Sequence, residues 1–241
     1  MADLSHLGLA EMVKLGAELR NIGQGASSME QVAARIVDAL AQYFTVDGKP
    51  ELVLTRFYVT TRYQLLEPEQ QAAAREILGR EPDPQTRCMV LLGTRGAEAA
   101  WNSRRSSQGH KAIPLPDSAF VSRLPMVAGV FEGLGLDPRA LENPEQLADA
   151  ARRQFSVFLV EHALGSPKIP AQADFVQKHG VASVIAFGGV LPTGELFFTL
   201  MFARAPITRE VADLFGPLAL SVKLAVMPYS SRKPFAVGHA S

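Results

Sequence analysis

The chain has 241 residues, enough for one large domain or two small ones and for a sizeable buried core. Its 24 basic residues balance its 24 acidic ones, which removes the electrostatic case for nucleic acid as a main partner. A single cysteine, Cys88, excludes an internal disulfide framework and a cysteine-based structural zinc site.

The N-terminus carries Asp3 and Glu11 and lacks the basic start and apolar block of a signal peptide. The longest apolar run, near Val181 to Leu191, is too short to span a bilayer. The expectation is a cytoplasmic protein with no membrane partner.

Leu4 to Ile22 reads as a helix. Met12, Leu15, Leu19 and Ile22 alternate spacings of three and four, as in a coiled-coil seam. Two arrangements satisfy that pattern: a helix folded onto its own domain, or a dimer-forming helix, which is the expectation here. Ser28 and Gln31 suggest a capping box before a second helix to about Phe44. Val46 to Pro50 is a turn, and Leu52 to Thr60 has strand composition. Glu67-Pro68 opens a short helix that Gly79 should stop. Cys88 to Leu92 is a strand, Gly93 to Gln108 a polar loop holding Trp101, and His110 to Leu115 an edge strand.

Asp117 to Leu136 is helical by period, divided or kinked at Pro125. Asn143 to Gln146 is a helix start, Ser156 to Val160 a strand, and Asp174 to His179 a short helix closed by Gly180. Val181 to Phe187 and Leu196 to Phe202 form a hairpin about the turn Leu191 to Gly194. Both runs are apolar at nearly every position, so both faces should be covered. Thr208 can cap a final helix, interrupted at Gly216-Pro217, with Leu220, Leu224 and Met227 extending its apolar face. Ser230 to Ser241 reads as a polar, mobile tail. This order favours an α+β domain: a central antiparallel sheet of about six strands flanked by helices.

Several segments carry a resemblance: Trp101 to Ser106, Gly109 to Leu115, Gly165 to Gln172, Gly180 to Phe198 and Phe215 to Leu224. Together they resemble the GAF domain, in a subtype found beside bacterial sensor histidine kinases. The likeness covers roughly Ser27 to Tyr229, so the chain is divided into an N-terminal helix over residues 1–25, a GAF-like sensory domain over 26–229 and a mobile tail over 230–241. The likeness also implies a small-molecule ligand of unknown identity, a homodimer through the terminal helices and a signalling partner protein. One branch of that family reduces free methionine sulfoxide with several cysteines. Cys88 alone leaves no resolving thiol and reads as a structural residue.

No metalloprotease, phosphate-loop, nucleophile-elbow or CxxC motif occurs, and the five histidines have no metal-ligand spacing. The chain is therefore read as a sensor rather than an enzyme, with no catalytic or metal-ligating residue. Its candidate ligand-binding residues are Arg56, Tyr58, Trp101, Arg104, Arg105, His110 and Phe187. Arg56 and Tyr58 share a strand face by period two, and a charge on a covered sheet needs a partner. Arg104 and Arg105 offer two-point contacts to an anion, and Trp101 offers a flat wall. In the alternative, Trp101 anchors its loop, the arginines are solvated, and the domain is an interaction module with an empty pocket.

Overall fold

The computed structural model describes residues 2–107, 109–142, 157–231 and 233–235. The expected helix start at Asn143 and the strand's first residue, Ser156, lie outside them.

A six-stranded antiparallel sheet forms the middle layer, in the order β5-β4-β3-β8-β7-β6. Its strands are β3 (Leu52–Arg62), β4 (Arg87–Gly96), β5 (Ala112–Leu115), β6 (Val157–Val160), β7 (Ser183–Val190) and β8 (Leu196–Ala203). The α+β sheet expected from the sequence is the one observed. β8 is buried along its whole length, as its unbroken apolar run requires. A small separate hairpin joins β1 (Thr45–Val46) to β2 (Lys49–Pro50). Its turn residues Asp47 and Gly48 both take positive φ, which matches the twist of a two-residue hairpin.

Period-two alternation splits the sheet into two faces with separate cores. Phe57, Val59, Cys88, Val90, Phe187, Phe197 and Met201 face one side. There they meet α1 (Leu9–Asn21), α2 (Met29–Tyr43) and α7 (Gly216–Val226). Leu54, Tyr58, Met89, Leu91, Phe198, Leu200 and Phe202 face the other side. That side is covered by α4 (Ser118–Ser122), α5 (Pro125–Gly133) and a one-turn π-helix, Gln172–Gln177. The two remaining α-helices among the described residues are α3 (Pro68–Leu78) and α6 (Arg209–Asp213).

Local chemistry sets the helix ends. The Ser28 hydroxyl accepts from the Gln31 N–H at 3.2 Å, while the Gln31 amide oxygen accepts from the Ser27 N–H at 2.8 Å. Pro125 separates α4 from α5, because it cannot donate within a continuous helix. Pro217 likewise falls in the first turn of α7.

β4 runs on to Gly96, past the loop start expected at Gly93, through pairing with β3. Gly93 is needed there for another reason. A Cβ at this position would stand 2.6 Å from the Ala33 carbonyl oxygen, so only glycine lets α2 lie so close to the sheet. Gly133 does the same for α5, where a Cβ would stand 2.5 Å from the Cα of Phe158.

Two sequence expectations are corrected. Met12, Leu15 and Leu19 are not a free seam: they are buried within the chain, where α1 packs on α7. On α1 the exposed apolar side chains are instead Leu9 and Val13, while Leu220, Leu224 and Met227 at the other end of the chain are exposed as the sequence suggested. The described part of the expected tail is also docked. The Pro234 carbonyl accepts from the Glu30 N–H at 2.9 Å, and Phe235 is buried.

One helical run, Arg209–Tyr229, is long and apolar enough to cross a membrane by composition. It is the core helix of the α1/α2 side, with 56% of its most apolar window buried.

Candidate functional site

On the α5 side the layers do not close. A cavity of about 350 Å³ opens between β3, β5 and β8 below and α5 and the π-helix above. This lies at the lower end of small-ligand pockets, which hold roughly 300–1,000 Å³. Leu54, Met89, Ile113, Phe198, Leu200 and Phe202 form its floor. Leu124 to Val127, Val130, Ile169 to Ala171 and Phe175 form its roof and sides.

The π-turn shapes one wall. Val176 N–H donates to the Ala171 carbonyl at 3.1 Å, a five-residue step that leaves an extra residue in the turn. Gln172 fastens the adjoining loop: its amide nitrogen donates to the carbonyls of Ala163, Ser166 and Ile169, and its oxygen accepts from the Gly165 N–H.

Four of the seven candidate residues meet at this cavity: Arg56, Tyr58, Trp101 and His110. Arg56 is only 8% exposed. Its two terminal nitrogens donate to hydroxyls, Tyr58 Oη at 3.3 Å and Ser107 Oγ at 3.1 Å. Its Nε is buried without a hydrogen-bond partner among the described residues. Tyr58 stacks on Phe198 with ring centres 5.3 Å apart. Trp101 both anchors its loop and walls the cavity, packing edge-on against Phe175 at 5.6 Å and His179 at 4.9 Å. Its carbonyl accepts from Thr94 Oγ1 at 2.8 Å.

His110 takes a left-handed φ of +55°, an uncommon and costly conformation for a residue with a side chain, and one that clusters at functional sites. It stands at the rim, with part of its surface open to solvent. The walls behind its ring, and secondarily the Arg56 guanidinium, lower its pKa.

The other three candidates lie elsewhere. Arg104 points through the loop to the opposite side and does not line the cavity. Its Nε and Nη2 grip Glu30 at 2.5 and 3.0 Å, and its Nη1 meets Glu67 at 2.8 Å. Burial opposes its charge, but these bonds outweigh burial and hold its pKa above the usual arginine value. Arg105 is exposed, and its carbonyl accepts from Lys111 Nζ at 2.8 Å. Phe187 faces the α7 core, 5.6 Å from the ring of Phe215. Sequence reasoning missed Leu54, Ile113, Leu200 and Phe175. Period two from Arg56 and Tyr58 would have added Leu54; the rest come from elements whose facing only the fold determines.

Cys88 lies on the far side of the sheet from the cavity and is fully buried. Burial pushes its thiol up to about 12, which keeps it protonated at neutral pH and suits a structural residue. In native protein at pH 8 it should not react with a thiol reagent, and in urea it should react at once. A thiol with a raised folded pKa stabilises the fold below its unfolded pKa. That contribution is lost as pH rises from about 9 towards 12. No group of three or more metal-ligating side chains occurs among the described residues.

The fold has known counterparts. The GAF domain of A. aeolicus nlh2, in an inactive state, superposes with a TM-score of 0.51 over 93% of this chain and 99% of its own, at 8% identity. The fold is GAF-like. The free methionine-R-sulfoxide reductase of Neisseria meningitidis, solved with its substrate, matches this GAF-like fold with a TM-score of 0.51 at 11% identity, over 95% and 98% of the two chains. At such identities the likeness is one of scaffold, and no enzyme family is shown by it. No protein-family model and no curated protein matches the chain.

Proposed function

We propose that the chain is a sensory or regulatory GAF-type domain in bacterial signal transduction. It holds a small molecule in the cavity between β3, β8 and α5 and passes the change to its terminal helices or a partner protein. The observation that carries this reading is a mostly apolar cavity with one buried guanidinium at its floor. The GAF-like fold supports it, since sensing is a common use of that scaffold. Among the described residues no activated nucleophile or acid–base pair accompanies Arg56, which favours binding over catalysis.

A thermal-shift screen of small metabolites tests the reading. A ligand at a hundred times its Kd adds about 2.7 kcal/mol, raising Tm by roughly 5–10 °C in a domain of this size. Ile113→Phe, which fills the cavity from β5, should remove that shift. A screen in which nothing stabilises the wild type beyond the filled variant would refute the reading.

One observation favours a second reading, an interaction or dimerisation module with an empty pocket. Leu220, Leu224 and Met227 stay 37–46% exposed, and Leu9 and Val13 about two-thirds exposed. That uncovered apolar surface, and not the buried α1 seam, is where a second copy of the chain would dock.

A further inference from the structure

We propose that the ligand of this cavity is a monocarboxylate with an apolar body, its carboxylate seated on the guanidinium of Arg56; this rests on the small-molecule reading above. Arg56 is an arginine in a hydrophobic floor. It lies on the central strand β3, flanked by Leu54 and Tyr58 on its own face and by Leu200 on β8. No carboxylate stands within ion-pair distance of it among the described residues, where its hydrogen-bond partners are two neutral hydroxyls.

A buried charge without a counter-ion is costly, and a group that supplies one on entering recovers that cost. Arg104, on the loop that also supplies Ser107, shows the contrast: with the same side chain, the protein supplies two carboxylates. At Arg56 it supplies none, although Arg56 lines the cavity, and its buried Nε is left without a partner among the described residues. Each terminal nitrogen gives one N–H to a hydroxyl and keeps a second, so a planar carboxylate can span the two in a two-point contact.

Charge and shape narrow the class further. One guanidinium balances one negative charge, which suits a carboxylate better than a phosphate dianion. Among the described residues no lysine lines the cavity, and its other polar edges are Tyr58, His110 and the Trp101 ring. α5 begins at the cavity wall without a side-chain cap, so the positive end of its dipole adds to the same field. The remaining walls are aliphatic, aromatic and thioether surface, which selects an apolar chain or ring behind the acid.

The test compares octanoate and 4-phenylbutyrate with their neutral amides. Binding is read by titration calorimetry and by emission of Trp101, the chain's one tryptophan. The acids should bind the wild type roughly 10- to 100-fold tighter than the amides. Arg56→Met should bring acid and amide together while the amide still binds. Arg56→Lys, which keeps the charge but not the fork, should retain only part of the preference, and it serves if the Met variant does not fold. Amides that bind as tightly as the acids would overturn the proposal. So would tighter binding of phenyl phosphate, or no binding of either acid at millimolar concentration. The thermal-shift screen separates the two levels: neutral hits there leave the sensory reading standing and only the carboxylate refuted, whereas no hits remove both.

Discussion

Replacing Leu15 and Leu19 with glutamate is expected to unfold the α1–α7 layer, not merely to dissociate a dimer. Both side chains are fully buried, facing the core that Leu218, Val222 and Phe215 share. Truncation of such a leucine to alanine costs about 2–5 kcal/mol. Glutamate adds the cost of stripping a carboxylate of water. Two such changes approach the whole stability of a typical domain, about 5–15 kcal/mol. Urea melts should show a collapsed midpoint, with lost helical circular dichroism. Leu220→Glu with Leu224→Glu is the contrast. Those side chains are exposed, so the fold should survive, and any dimer seen by sedimentation equilibrium should become monomer. A stably folded Leu15→Glu, Leu19→Glu protein would contradict the observed packing of α1.

Arg104→Ala should destabilise the fold while leaving the cavity able to bind. The guanidinium joins three segments distant in sequence: Glu30 in the first turn of α2, Glu67 at the cap of α3, and Phe235, whose ring lies 5.3 Å below it. Breaking a buried ion pair costs about 3–5 kcal/mol, and the lower end applies because Glu67 is one-third exposed. Residues 233–235 should loosen with it, so the Glu30 amide, bonded to Pro234, should exchange faster with solvent deuterium. Arg105→Ala, on the exposed side of the same loop, should change stability by less than about 0.5 kcal/mol. Equal stability for the two variants would show that the Arg104 cluster contributes nothing.

The sequence by itself determined the elements of this protein. The unbroken apolar runs of β7 and β8 required cover on both faces, Pro125 and Pro217 required helix breaks, and period two placed Arg56 beside Tyr58. These are local rules, acting over a few residues, and the structure follows them. Only the tertiary structure decided which face opens into a cavity and which arginines reach it. Arg104 and Arg105 are neighbours in sequence, yet one closes an ion cluster 74 residues away and the other faces solvent. The buried seam of α1 has the same lesson. An apolar stripe states that a helix face must leave water, and the partner that covers it is set by where the chain returns, here at α7. Phe187 and Phe198 lie on adjacent strands with similar composition, and pleat and register alone send one to the α7 core and the other to the cavity floor.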